Sequence, residues 1–344
     1  MNGRIPAALA LLCAYLLAPG AAAAAPAQYP VVGQITAFDP AFAAVAAPDA
    51  RIEKIADGIS WAEGPVWMRK GGYLLFTDPR ANKMYRWSGK DGLSVYLDPA
   101  GYSGPPDPTL REPGANGLFP EPGGTLLLAD SGTRALMRFD PRTKQKTMIV
   151  DRYEGHRFNS PNDMVRRHDG VVYFTDPPFG LTGGERSTAR ELPYSGVFRL
   201  DPDGSVHLVD DSLKYPNGVV LSPDERHLYV SDTDMANPLW MVYALDAHGE
   251  VTEKHVFAQA HDLPRGGSFG VPDGMCMAAD GKLFTSAPGG LTVFSPDGKA
   301  LGRFETGAQV SNCAFGDDGR TLYMSSSNFI ARVRVKIGGL GIGR

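Results

Sequence analysis

Six short phrases place a carboxylate or carboxamide directly ahead of an apolar run. They are Ala62-Glu63-Gly64-Pro65-Val66, Ala115-Asn116-Gly117-Leu118, Pro161-Asn162-Asp163-Met164, Pro216-Asn217-Gly218-Val219, Pro272-Asp273-Gly274-Met275 and Ser311-Asn312-Cys313-Ala314. Taken singly, an Asn or Asp before glycine is a turn former. Glu63 has no special turn role at that position. If a repeated fold brings the six together, two carboxylates and several carboxamide oxygens form a hard-oxygen donor set. That set suits Ca²⁺ or Mg²⁺ and is poor for copper or zinc, which favour His and Cys. A cation with open positions can polarise a carbonyl or phosphoryl oxygen and bind water, while a free carboxylate oxygen takes the water proton.

The elements that must position these residues repeat along the chain. Each phrase leads through a Gly-rich or Asp-containing turn into a second apolar strand, as in Tyr73 to Asp78, Thr125 to Asp130, Val171 to Asp176, Arg226 to Asp232, Lys282 to Ser286 and Thr321 to Met324. Two further alternating stretches follow in five of the six repeats, for example Lys83 to Trp87 and Leu93 to Leu97 in the first. Four short antiparallel strands make one propeller blade, and the repeat length fits that architecture. The sixth repeat stops one strand short, and the alternating residues 51–56 can complete it. The expected fold is therefore an all-β, six-bladed propeller over residues 51–344, its ring closed by pairing of N- and C-terminal strands, which also removes an exposed edge. In a propeller the loop entering each innermost strand opens onto the central channel, so Glu63, Asn116, Asn162, Asn217, Asp273 and Asn312 should ring one mouth.

The composition, with 41 Gly and 28 Pro in 344 residues, suits a turn-rich globular β-protein. A formal net charge of −4 without a basic run argues against a nucleic-acid partner. Residues 1–24 read as a cleaved secretory signal: a basic start, an apolar stretch too short to span a bilayer, then small residues. The expected protein is secreted or periplasmic, free of the membrane after cleavage, and a monomer or dimer. Residues 25–50 are rich in Ala and Pro without periodicity and read as a linker or loosely docked tail. In an oxidising compartment Cys276 and Cys313 could form a disulfide, but each follows its repeat's turn within a strand, the usual place for small buried core residues, and that reading is the one favoured. His156, Arg157, Glu185, Arg186 and Glu191 read as a solvated charged rim. The Gly183-Gly184 and Gly266-Gly267 pairs read as covers over the mouth.

In combination, Glu63-Gly64-Pro65-Val66-Trp67, Ser160-Pro161-Asn162-Asp163, Pro216-Asn217-Gly218 and Pro272-Asp273-Gly274-Met275 resemble the gluconolactonase and regucalcin family of six-bladed propellers. The likeness runs from about residue 51 to 336 and is greatest to the bacterial gluconolactonase branch, through Arg152-Tyr153-Glu154-Gly155 and Asp176-Pro177-Pro178-Phe179-Gly180. The resemblance implies a metal-dependent lactonase that opens a sugar (aldono-) lactone to its acid. It implies one divalent cation, Ca²⁺ first, with Mg²⁺, Mn²⁺ or Zn²⁺ as alternatives. Carried onto this chain, it makes Glu63, Asn217 and Asp273 the core ligands and Asn162 a further ligand or a substrate contact. It also makes Asp273 the proton-transferring carboxylate, consistent with a turn that leaves it exposed at the channel, while Glu63 is a structural ligand. Asn116 and Asn162 are candidates to hydrogen-bond the sugar or the oxyanion. The chain departs from regucalcin at Ser160, where that protein has a substrate-contacting arginine. Two other readings use the same residues: phosphotriester hydrolysis, and a non-catalytic propeller that binds a sugar acid or a partner and uses calcium to stiffen its channel.

Overall fold

The computed structural model describes residues 1, 3, 29–264 and 270–340. Residues 2 and 4–28, which hold most of the expected signal segment, and Gly266-Gly267 lie outside the described residues. Six four-stranded antiparallel units follow one another around a ring. Their innermost strands are Glu63–Met68, Leu118–Pro120, Met164–Arg166, Pro216–Leu221, Met275–Met277 and Val310–Gly316. The second strands, such as Leu126–Asp130 and Val172–Asp176, are buried on both faces, which is why they read as continuous apolar runs.

Blade 6 takes its three inner strands from the C-terminal part of the chain and its outer strand, Glu53–Asp57, from the N-terminal part. Lys54 stands opposite Ala331 and Asp57 opposite Phe329, and a Glu53–Arg332 ion pair of 2.8 Å crosses the seam. The expected closure is thus present. Hydrophobic packing is divided among the junctions between blades. Trp87, Phe76, Tyr323 and Ile330 fill the wedge between blades 6 and 1, while Phe158, Phe174 and Phe198 fill that between blades 2 and 3. Twisted sheets packed face to face around a ring each bury both faces, so the apolar side chains gather there and leave the channel to polar groups.

Two expectations need correction. Residues 29–50 are docked rather than loose: Gln34–Ala37 adds a fifth strand to blade 5 by pairing with Ala300–Glu305, and Val31 bridges to Glu53 on blade 6. Phe42, Val45 and Ala46 are buried in the wedge between blades 5 and 6. A four-residue strand followed by a short 3₁₀ turn, Pro40–Ala44, is too brief to register as periodicity. Cys276 and Cys313 are not free thiols. They form a disulfide joining the innermost strands of blades 5 and 6, with Cα atoms 5.7 Å apart. Cys276 lies three residues after Asp273 and Cys313 one residue after Asn312, on neighbouring strands, a proximity that only the three-dimensional repeat reveals.

Candidate active site

A hydroxyl and an Asp repeated at the ends of the second strands of blades 1 to 4 explain how most of the site residues are held. Asp78 accepts from the Ser60 and Trp61 amides, Asp176 from Asn159 and Ser160, and Asp232 from Lys214 and Tyr215, fixing the loop ahead of each innermost strand. The hydroxyl beside the Asp reaches forward to the next blade. Thr77 donates to the Asn116 carbonyl at 2.7 Å, Ser131 to Pro161 at 2.7 Å, Thr175 to Asn217 at 2.6 Å and Ser231 to Asp273 at 2.7 Å. Ser311 of blade 6 donates to Ala62, just ahead of Glu63. Five of the six donor positions are thus held, at the residue itself or at the one before it, by a hydroxyl from the preceding blade; Asn312 is the exception, since the Ser286 hydroxyl of blade 5 is unpaired among the described residues.

The six sequence-predicted residues are brought to one mouth, and all are buried, with exposures between 4% and 7%. Asp273, expected to be exposed by its turn, is among them because the neighbouring blades close around it. Glu63 accepts from the Trp61 indole N–H at 3.1 Å and from the Gly64 amide at 3.3 Å. The Asn217 side chain donates to Thr233 at 3.0 Å and also hydrogen-bonds Asp273. Asn312 accepts from the Cys313 amide at 2.8 Å and hydrogen-bonds Asp163. A Cβ on Gly274 would lie 2.1 Å from the Asn312 side chain, so glycine is required for that close approach. The side-chain amides of Asn116 and Asn162 have no hydrogen-bond partner among the described residues and are not among the fully enclosed unpaired polar atoms, so they stay accessible.

Asp163 is the site residue that sequence reasoning passed over. Glu63, Asn116, Asn217 and Asp273 are each followed by glycine, whereas Asn162 is followed by Asp163. A carboxylate in the glycine place of one repeat was the available signal. It accepts from the Met164 amide at 2.9 Å and the Val219 amide at 3.4 Å, and its Oδ1 lies 2.7 Å from where a Cβ on Gly117 would stand. Burial raises the Asp163 carboxyl to about 7. Burial, reinforced by the charges of Asp163 and Glu112, raises Glu63 to about 8. Asp273 is raised well above the usual carboxylate range by burial, then by Glu63 and Asp163.

Among the described residues, no Lys or Arg pairs with any of these three carboxylates. Three mutually repelling buried carboxyls and two unpartnered amides make a site that a small multivalent cation would satisfy. No three His, Cys, Asp or Glu side chains stand together as a ligand group among the described residues. A cation here would take a mixed set of carboxylate and carboxamide oxygens.

Around the mouth, the connection from blade 1 to blade 2 pairs with the blade 3 loop through Leu110 opposite Leu181, with Thr182 donating to Thr109 and Arg111 to Gly180. The Gly183-Gly184 segment continues from that pairing. Ser160 is buried, donating to the Pro177 carbonyl and accepting from the Gly180 amide, so it holds this loop. His156, Glu185, Arg186 and Glu191 are exposed, as expected of a charged rim. Arg157 is half-buried, with its guanidinium on the Thr133 carbonyl.

Fold and site together define a six-bladed propeller with an acidic, oxygen-rich centre at one end of its channel. The chain belongs to the SMP-30/gluconolactonase/LRE-like family, whose model matches residues 61–328. It is 47% identical over 309 residues to a gluconolactonase of Zymomonas mobilis, covering 89% of this chain and 87% of that one. A pentonolactonase of Haloferax volcanii is 27% identical over 270 residues, covering 77% of this chain and 81% of that one. A solved gluconolactonase of Xanthomonas campestris superposes with a TM-score of 0.77 at 30% identity, over 90% of this chain and 98% of its own.

Proposed function

We propose that this protein hydrolyses a sugar lactone to the corresponding aldonic acid, using one divalent cation, Ca²⁺, held by Glu63, Asn217 and Asp273 with Asn162. The observation that carries the reading is the convergence of Glu63, Asp163 and Asp273, buried and without a counter-cation, on the mouth where Asn116 and Asn162 keep unpartnered amides. The gluconolactonase relatives support the substrate class. Bound there, the ion would supply Lewis-acid polarisation and acidify water.

The chain's own residues divide the remaining work. Asp273 takes a proton from the attacking water as its oxygen bonds to the lactone carbonyl carbon, then returns that proton to the ring oxygen as the C–O bond breaks. Asn217 holds the Asp273 carboxylate in place. Asn116 and Asn162 donate N–H groups to the sugar hydroxyls or to the developing oxyanion. Glu63 is tied through one oxygen to Trp61, which suits a fixed ligand better than a proton carrier. The Cys276–Cys313 disulfide supports residence in an oxidising compartment, in keeping with export. Mature protein should open glucono-1,5-lactone, lose that activity to a chelator and regain it with calcium. Hydrolysis untouched by chelation would sink the metal-assisted reading.

A further inference from the structure

Beside the acidic mouth, two arginines share one buried carboxylate. Glu112 is 5% exposed, and its Oε1 lies 3.5 Å from Arg80 Nε and 3.2 Å from Arg111 Nη2. Its backbone is fixed by the loop pairing, since both Arg111 and Glu112 amides donate to the Gly180 carbonyl. The guanidinium of Arg80 stacks 4.3 Å from the centre of the Trp61 ring, whose N–H is bonded to Glu63. The arginine pair therefore stands one indole ring from the carboxylate site.

Both arginine side chains are about half exposed, at 47% and 53%, and each directs one nitrogen at Glu112. One carboxylate between two guanidinium groups leaves a net positive charge, which a second anion would neutralise. Planar N–H forks match carboxylate and phosphate oxygens, which they bind bidentately. Elsewhere at this mouth Glu63, Asp163 and Asp273 have no Lys or Arg partner among the described residues, so the arginine pair is where an anionic group would find N–H forks. We propose that Arg80 and Arg111 form a rim subsite for a carboxylate or phosphate group carried by the substrate at the end remote from its lactone carbonyl. The inference rests on the lactone-hydrolysing reading of the site, and it assigns the preferred substrates to the acidic sugar lactones.

The test compares neutral glucono-1,5-lactone with its 6-phosphate and with glucaro-1,4-lactone, which carries a second carboxylate, using calcium-loaded protein. The variants are Arg80→Gln, Arg111→Gln and the charge-preserving Arg80→Lys and Arg111→Lys. Each glutamine variant should lower kcat/KM about tenfold on at least one anionic lactone, mainly through KM, and less than about twofold on the neutral one. The lysine variants should recover part of that loss. Binding of the products glucarate and gluconate, followed by calorimetry without turnover, should show the same contrast. Equal losses on neutral and anionic lactones, or glucarate binding no tighter than gluconate binding, would overturn the subsite. If the binding contrast holds while no lactone is turned over, the subsite stands and the hydrolytic reading fails.

Discussion

The charge state of the site should couple calcium binding to pH, and the size of the effect follows from Glu63. With its carboxyl at about 8 in the ion-free protein, about one molecule in a hundred has it ionised at pH 6. Asp273 is raised as well, so an ion that takes both as carboxylates must displace between about one and two protons at that pH. Calcium affinity should rise about 10²-fold between pH 6 and pH 9 from Glu63 alone. The stability of the ion-free protein should move the other way. A carboxyl whose pKa is higher in the folded than in the unfolded chain contributes stability that is complete below the unfolded value and is lost as pH rises through the folded one. For Glu63 and Asp163 that window runs from about 4 to about 8.

Chelated protein should therefore melt at progressively lower temperature from pH 5 to pH 9, and calcium should restore most of the loss. Asp176, raised to about 7 by burial but engaged only with the Asn159 and Ser160 backbone and more distant arginines, adds a part that calcium does not restore. Calorimetric titration with calcium at pH 6.5, in two buffers of different ionisation enthalpy, counts the protons directly. Release of less than about half a proton, with an affinity flat in pH, would refute the assignment of these carboxyls to the ion.

Two further predictions separate roles within the site and its frame. Asp273→Asn should keep an oxygen for the ion yet lose at least about 10²-fold in kcat at saturating calcium, whereas Glu63→Gln should weaken calcium binding first and recover much of its rate in excess calcium. Calcium affinities and kcat for both variants decide between them, and a dead Glu63→Gln at saturating calcium would move the proton transfer to Glu63. Replacing Cys276 and Cys313 by Ser opens a loop with a sequence separation of 37 and should cost about 3–4 kcal/mol in denaturant unfolding, with kcat changed less than about twofold. An unchanged unfolding free energy would show that the bridge does not constrain the unfolded chain.

Much of this arrangement is legible in the sequence because the fold is a repeat. Once Glu63, Asn116, Asn162, Asn217, Asp273 and Asn312 occupy equivalent places, their convergence needs no coordinates. What escaped was information carried between repeats or against them. Asp163 was hidden because a turn-forming reading of Asn-Asp is always available. The Cys276–Cys313 pair depends on how closely two blades approach at the axis. The docked strand at Gln34–Ala37 is too short for any period, and its partner lies more than 260 positions away. The Arg80–Glu112–Arg111 group comes from two separate loops, joined where the Gly114 amide donates to the Pro79 carbonyl.

Clamping five of the six site positions from the preceding blade has a consequence for how activity appears during folding. Excised from the ring, blades 1 to 5 carry no finished donor, because the hydroxyl that secures each belongs to a neighbour. The clamp from Ser311 to Ala62 joins positions 249 apart, and so it forms only when the two ends of the ring meet. Contacts of that separation are slow to form, because the closure entropy is spent before they reward it. Partly folded chains and proteolytic fragments should therefore neither bind the ion tightly nor turn over substrate. Ion affinity then serves as a reporter of a completed ring, and the enzyme switches on in a single step at the end of folding.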